Sequence, residues 1–155
     1  MTKPTNKASS RKLQAPSHWE RLLGKTRSAI ERQFLDAFCE LAFENGYSVR
    51  KTPDDNTLQV IPQKRIGRYS VDFAIIFRFF GKTLGLVVEC DGHNFHEKMK
   101  AQVARDKTRE RAIVAARYRV LRFSGSEIFA DARACAAEAL DMIQDFQTAC
   151  LATAA

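Results

Sequence analysis

The chain has 155 residues, 45% hydrophobic and 28% charged, which excludes collagen, a disulfide scaffold and wholesale disorder. One domain is expected at that length, and no run approaches the ~20 apolar residues of a membrane helix. The net charge of +7 is unevenly spread: residues 1–27 hold seven Lys and Arg against one acid, residues 98–122 nine against two, and residues 123–155 one against five. That asymmetry points to a polyanion, with nucleic acid first.

Residues 1–27 read as a flexible basic arm, with Trp19, Leu22 and Leu23 docking at most a short turn, and residues 28–150 as the folded domain. The N-terminus is polar and basic with no apolar signal core, so a cytoplasmic protein is expected. Cys39, Cys90, Cys135 and Cys150 are widely spaced in apolar stretches and read as reduced core fillers.

Ordered structure is expected from Ser28, where Ser28-x-x-Glu31 has capping-box spacing. Ile30, Phe34, Phe38 and Leu41 follow at helical spacing, and Asn45-Gly46 ends the helix. Residues 47–50 pair weakly, and residues 53–56 are turn chemistry. Strands are predicted at 58–62, 69–80 and 84–90, with Gly81-Lys82 turning the chain between the last two. A basic helix over 97–117 leads to a strand at 118–123. A second capping box, Ser124-x-x-Glu127, opens a final Ala-rich helix running towards Thr148. A strand that follows a helical crossover joins the sheet parallel to an earlier strand. The expected fold is α/β, with a mixed four-stranded sheet, helices on both faces and the order α-β-β-β-α-β-α.

Three carboxylates interrupt the apolar strands. Asp72 lies between Val71 and Phe73, and Glu89 and Asp91 share one side of Leu-Val-Val-Glu-Cys-Asp. Ionised carboxylates on an apolar strand are costly without a partner, and a divalent cation both compensates and holds them together. Solvation at strand ends or pairing with arginine are the simpler explanations for any one of them. Glu31 has two candidate roles, capping and support of a site. His93 and His96 follow directly and could position or deprotonate water. Cys90, His93 and His96 also have a spacing that zinc tolerates, but a fourth ligand is missing.

On the basic helix Gln102, Asp106 and Arg109 share one face that continues into Ile113. Asp106 and Arg109 could equally form a plain ion pair. Lys98, Lys100, Arg105, Lys107 and Arg111 suit phosphate contacts, and Gln63, Lys64, Arg65, Arg68 and Tyr69 could line the same cleft.

In this order these residues resemble the restriction-endonuclease-like, PD-(D/E)XK nuclease superfamily. Within it the chain is similar to the short prokaryotic proteins called domain of unknown function 559, which are related to very-short-patch-repair endonucleases. The resemblance rests on Glu31, Tyr69-Ser70-Val71-Asp72-Phe73, Val88-Glu89-Cys90-Asp91-Gly92-His93, His96, Asp106-x-x-Arg109 and Val120-Leu121-Arg122-Phe123, and covers about residues 28–145. It implies a restriction-endonuclease-like core and Mg²⁺- or Mn²⁺-dependent hydrolysis of DNA that leaves a 5′-phosphate. Asp72 and Glu89 would hold the metal, the Cys90 carbonyl would be a further ligand, and Glu31 would act through water. The superfamily's usual lysine is Asp91 here, as in the 559 pattern. The residue that activates water is then unassigned: His93, His96 or a nearby lysine could serve, and Asp91 could instead be a third metal ligand. RNA is a lesser partner than DNA, no membrane is implied, and monomer and homodimer both remain open. The competing readings are a nucleic-acid-binding module with a degenerate nuclease fold and a small zinc-binding structural domain.

Overall fold

The computed structural model describes residues 17–52, 54–91 and 100–154, with the Asp91 side chain excepted. Regular structure begins before Ser28. Residues 18–23 of the expected arm form a helix, α1 (His18–Leu23), that buries Leu22. A complete capping box starts it: Ser17 Oγ accepts from the Glu20 amide at 3.2 Å, and Glu20 Oε2 accepts from the Ser17 amide at 2.6 Å.

Helix α2 (Ala29–Glu44) buries the stripe read from the sequence, with Phe34, Leu35 and Phe38 wholly enclosed. It ends at Asn45, and Gly46 takes the left-handed conformation at φ +82 that lets the chain leave. Among the described residues five strands follow, where four were expected. The extra one is β1 (Ser48–Val49), a two-residue strand parallel to β2 (Thr57–Ile66). Two residues carry no readable alternation, which is why only weak pairing was expected there. Strand β2 runs four residues past its predicted end, because Gln63 to Ile66 are mostly polar yet pair with the start of β3 (Tyr69–Phe79).

The sheet order is β1-β2-β3-β4-β5. Antiparallel pairing joins β2, β3 and β4 (Lys82–Asp91). The crossover through α3 (Lys100–Ala115) brings β5 (Tyr118–Ser124) parallel to β4, as the connection rule requires. Helix α4 (Gly125–Ala154) closes the fold. Its backbone breaks at Asp131, whose Oδ1 accepts from the Ala134 amide at 2.9 Å and so caps the second part.

Helices α2 and α4 cover one sheet face. The Phe34 ring lies 6.0 Å from Phe38, 5.8 Å from Phe73 and 5.9 Å from Phe123. All four cysteines are buried and free, and burial pushes the Cys39 thiol up to about 12, which makes it an inert core filler. The opposite face carries a smaller cluster of Ile66, Val71, Ala74, Val87 and Ile113, the last supplied by α3. Helices therefore lie on both faces, as expected. No helix among the described residues is long and apolar enough to cross a membrane.

The two clusters reveal a change of phase in the hairpin. On β2, Leu58 and Val60 face α2 and α4, while Ile61 and then Ile66 face α3. On β3, Phe73, Ile75 and Phe77 face α2 and α4, while Ala74 and Val71 face α3. Strict alternation cannot place residues an odd number apart on one face. Both strands switch at the level of Gln63 and Asp72, while the register keeps the same offset on either side, at Pro62↔Phe73 and Lys64↔Val71. Gln63 sits at φ +53, a left-handed conformation inside a strand. The end of the β2–β3 hairpin is thereby turned onto α3.

The second capping box is complete. Ser124 Oγ accepts from the Glu127 amide at 3.2 Å, and Glu127 Oε2 accepts from the Ser124 amide at 2.7 Å. Those bonds from the Ser124 amide and then its hydroxyl hold the Glu127 carboxyl below its ordinary value of 4.5. A depressed folded value means that this support is present above the unfolded value and is lost as pH falls through the folded one. Glu127→Gln is therefore expected to lower the melting temperature near neutral pH. The difference from the native chain should shrink as pH falls below the ordinary carboxylate value and Glu127 itself becomes protonated. A difference that stays constant with pH would refute the assignment.

Candidate active site

The β3–β4 ladder ends at Phe73↔Val88, and one step beyond it stand Asp72 and Glu89. Asp72 Oδ2 accepts from the Cys90 amide at 2.7 Å, so its carboxylate grips the backbone of the neighbouring strand. Glu89 is only 3% exposed, although it is a carboxylate. On β4, Leu86, Val88 and Cys90 belong to the larger cluster and Val87 to the smaller one, which puts Glu89 on the α3 face. There Arg109 Nη2 donates to Glu89 Oε1 at 2.5 Å and to the Ser70 carbonyl at 2.6 Å. One guanidinium thus fastens α3 to both strands that carry the acids. The Asp106–Arg109 pairing allowed by spacing gives way to this tertiary bond.

Arg122 adds a second cation that the sequence did not single out for a role. It is the parallel register partner of Glu89, and side chains at partnered positions of parallel strands share a face. Its position was visible only once β5 was paired with β4, residue against residue.

Glu31 is 7% exposed at the start of α2. Its amide donates to Ser28 Oγ at 3.1 Å, so half of the predicted capping box forms. Its Oε2 instead accepts from the Arg27 amide at 2.8 Å and from Gln63 Nε2 at 3.1 Å. Gln63 comes from the level at which both hairpin strands change phase, opposite Asp72. Its amide thus ties Glu31 to the strand pair that carries Asp72.

This arrangement explains the strained backbone at Gln63. A non-glycine residue in the left-handed region costs on the order of 1 kcal/mol, and such costs persist where a site needs the geometry. Gln63→Gly is expected to leave the melting temperature unchanged or raise it, while lowering any nucleolytic activity about tenfold through loss of the Glu31 contact. Parallel melting and activity assays check this, and full activity in the variant would remove Gln63 from the site.

The donors offered by Asp72, Glu89 and the peptide carbonyls are all oxygen, the class that Mg²⁺ and Mn²⁺ take. Among the described residues no group of three or more His, Cys, Asp and Glu gathers closely enough to hold a metal. The Asp91 side chain, His93, His96 and Lys98 lie outside the described residues. Cys90 presents its thiol to the larger core cluster, away from the Glu89 face.

The remaining candidates divide by position. Gln102, Lys100, Arg105 and Lys107 are exposed on α3, so Gln102 lines no buried site. Lys64 is half-buried and Arg65 and Arg68 are exposed on the turned hairpin end. Arg68, Tyr69, Ala104, Arg105 and Thr108 line an open pocket of about 300 Å³ between that hairpin and α3.

A family model described as REase_MTES_1575 matches residues 45–143. The match spans all five strands, α3 and much of α4, and contains Asp72, Glu89, Arg109 and Arg122 but not Glu31. No curated protein and no solved structure gives a significant match. The family model covers well over half of the chain, and the chain belongs to this restriction-endonuclease-like family.

Proposed function

We propose that the protein is a divalent-cation-dependent endonuclease that hydrolyses phosphodiester bonds of DNA. The observation that carries the reading is the pairing of Asp72 with a buried Glu89 one step past the end of the β3–β4 ladder. Asp72, Glu89 and the Cys90 carbonyl would hold Mg²⁺ or Mn²⁺, with Asp91 as a further ligand. The bound cation would polarise a phosphoryl oxygen and lower the pKa of a coordinated water. Arg109 keeps the Glu89 carboxylate aimed and, with Arg122, adds positive charge beside the phosphate. Glu31 orders the strand end through Gln63. Lys64, Arg65, Arg68, Lys98, Lys100, Arg105 and Lys107 meet the DNA backbone. His93 or His96 takes the proton from water in the absence of the superfamily's lysine, and cleavage leaves a 5′-phosphate.

The finer grouping, with domain-of-unknown-function-559 and very-short-patch-repair-like proteins, is supported by Val88-Glu89-Cys90-Asp91-Gly92-His93. The protein would act in the cytoplasm, as a monomer or homodimer, in repair or in mobile-element or restriction biology. A degenerate DNA-binding module is the second reading, and the observation that favours it is the Arg109–Glu89 pair, which already neutralises one acid. The zinc alternative is disfavoured by the burial of the Cys90 thiol in the core.

Incubation of supercoiled plasmid at low salt with Mg²⁺, Mn²⁺ or EDTA separates the two readings. Nicking should require the metal and fall as salt rises, because a basic surface exchanges phosphate contacts for counterions. Salt-sensitive DNA binding without any nicking would move the assignment to the binding module.

A further inference from the structure

The pocket beside the acids has a composition that phosphate contacts alone do not explain. It is lined by Tyr69, Ala104 and Thr108 together with Arg68 and Arg105, an aromatic and two small side chains beside two cations. A volume of about 300 Å³ is at the small end for ligand pockets, which suits one planar heterocycle and not a stacked base pair. The Tyr69 ring already serves as a stacking surface: Arg68 Cζ lies 5.1 Å from its centroid, and Arg68 Nη2 donates to its hydroxyl at 2.9 Å. Tyrosine and arginine planes are the groups on which unpaired bases stack.

The pocket also adjoins the site. Ser70, the next residue after Tyr69, accepts from the same Arg109 nitrogen that holds Glu89. Thr108 precedes Arg109 on α3. An occupant of the pocket therefore sits one residue from the arginine that joins the two acid-bearing strands.

We propose that this pocket, formed by Arg68 and Tyr69 of the turned hairpin and Ala104, Arg105 and Thr108 of α3, receives an unpaired nucleobase of DNA, with Tyr69 as its stacking partner. The inference rests on the nuclease reading and deepens it: the favoured substrate carries unpaired nucleotides beside the bond to be cut. The change of phase at Gln63 and Asp72 is what turns the hairpin end towards α3 and so forms the pocket.

The test is binding in EDTA, so that cleavage plays no part. Fluorescence anisotropy would follow a fluorescein-labelled oligothymidylate, the same strand with abasic sites in place of bases, and a fully paired duplex. Tyr69→Ala should weaken oligothymidylate binding about tenfold, the usual effect of removing one base–aromatic stack. Tyr69→Phe should bind as the native protein does, and duplex affinity should change less than about twofold in either variant. The abasic strand should bind more weakly than oligothymidylate to the native protein and be indifferent to Tyr69→Ala.

Equal losses on single strand and duplex, no loss on either, or abasic binding as tight as oligothymidylate would overturn the proposal. Failure of the two readings is distinguishable. Tyr69-dependent binding without plasmid nicking keeps the pocket and removes the nuclease, while metal-dependent nicking with no Tyr69 effect on binding does the reverse.

Discussion

Asp72→Asn and Glu89→Gln are each expected to lower metal-dependent plasmid nicking by more than about a hundredfold, while salt-sensitive DNA binding persists. Loss of an outer-shell partner already costs about 10- to 100-fold at metal sites, and loss of a ligand charge should exceed that. The two substitutions are chosen for what they preserve. Asparagine keeps an oxygen that can accept from the Cys90 amide, so the strand contact made by Asp72 survives. Glutamine keeps an oxygen for Arg109 and fills the same buried volume. Each variant therefore removes charge with little change of shape. Asp36→Asn, on the exposed side of α2, is the control that should nick at the native rate. Nicking that persists in either test variant, with the fold verified by circular dichroism, would mean that the cation is held elsewhere.

The legibility of this site in the sequence follows from the physics of each residue. Asp72 and Glu89 were visible because a charge in an apolar strand is an anomaly that needs a cause. Arg109 was visible as a polar residue on a line that ends in the core at Ile113. Its partner was not, since helix spacing reports only neighbours on the same helix, and Asp106 was the neighbour offered. Arg122 was hidden for the same reason in the sheet, where partners are set by a parallel register with no local signature. The bond from Gln63 to Glu31 spans 32 positions and depends on a left-handed residue that glycine or asparagine would normally announce. The capping boxes at Ser28 and Ser124 were legible as spacings. Only the structure distinguishes the complete box at Ser124 from the half box at Ser28, whose glutamate reaches the Arg27 amide and Gln63. The largely polar strand end and turn, Lys64 to Arg68, carried no alternation to read, and there the hairpin pairs and turns onto α3.

Arg109→Ala should be the most destabilising single change at the site, by about 3 kcal/mol in EDTA, the low end for breaking a buried pair. The low end applies because the Arg109 side chain is 23% exposed while Glu89 is 3% exposed, so some solvent reaches the cation's side. The cost arises from what remains: a carboxylate enclosed by protein with the Arg109 charge removed. Adding Glu89→Gln to Arg109→Ala should therefore recover most of the loss, because the double variant no longer buries a Glu89 carboxylate deprived of Arg109. That recovery separates electrostatics from packing, since a loss caused by missing side-chain volume would persist in the double variant. The same argument reaches the cation. If Asp72 and Glu89 hold Mg²⁺, it supplies positive charge where Arg109→Ala has removed it, and a ligand that binds only the folded state stabilises it by RT ln(1 + [L]/Kd), so tighter binding gives a larger rise in melting temperature. Thermal melts with and without Mg²⁺ should then show a larger metal-induced rise for Arg109→Ala than for the native chain, and none for the variant that also carries Glu89→Gln. Equal rises in all three would place the metal away from Glu89. A native-like melt of Arg109→Ala in EDTA would mean that Arg122, the neighbour of Glu89 across the parallel ladder, already balances the charge.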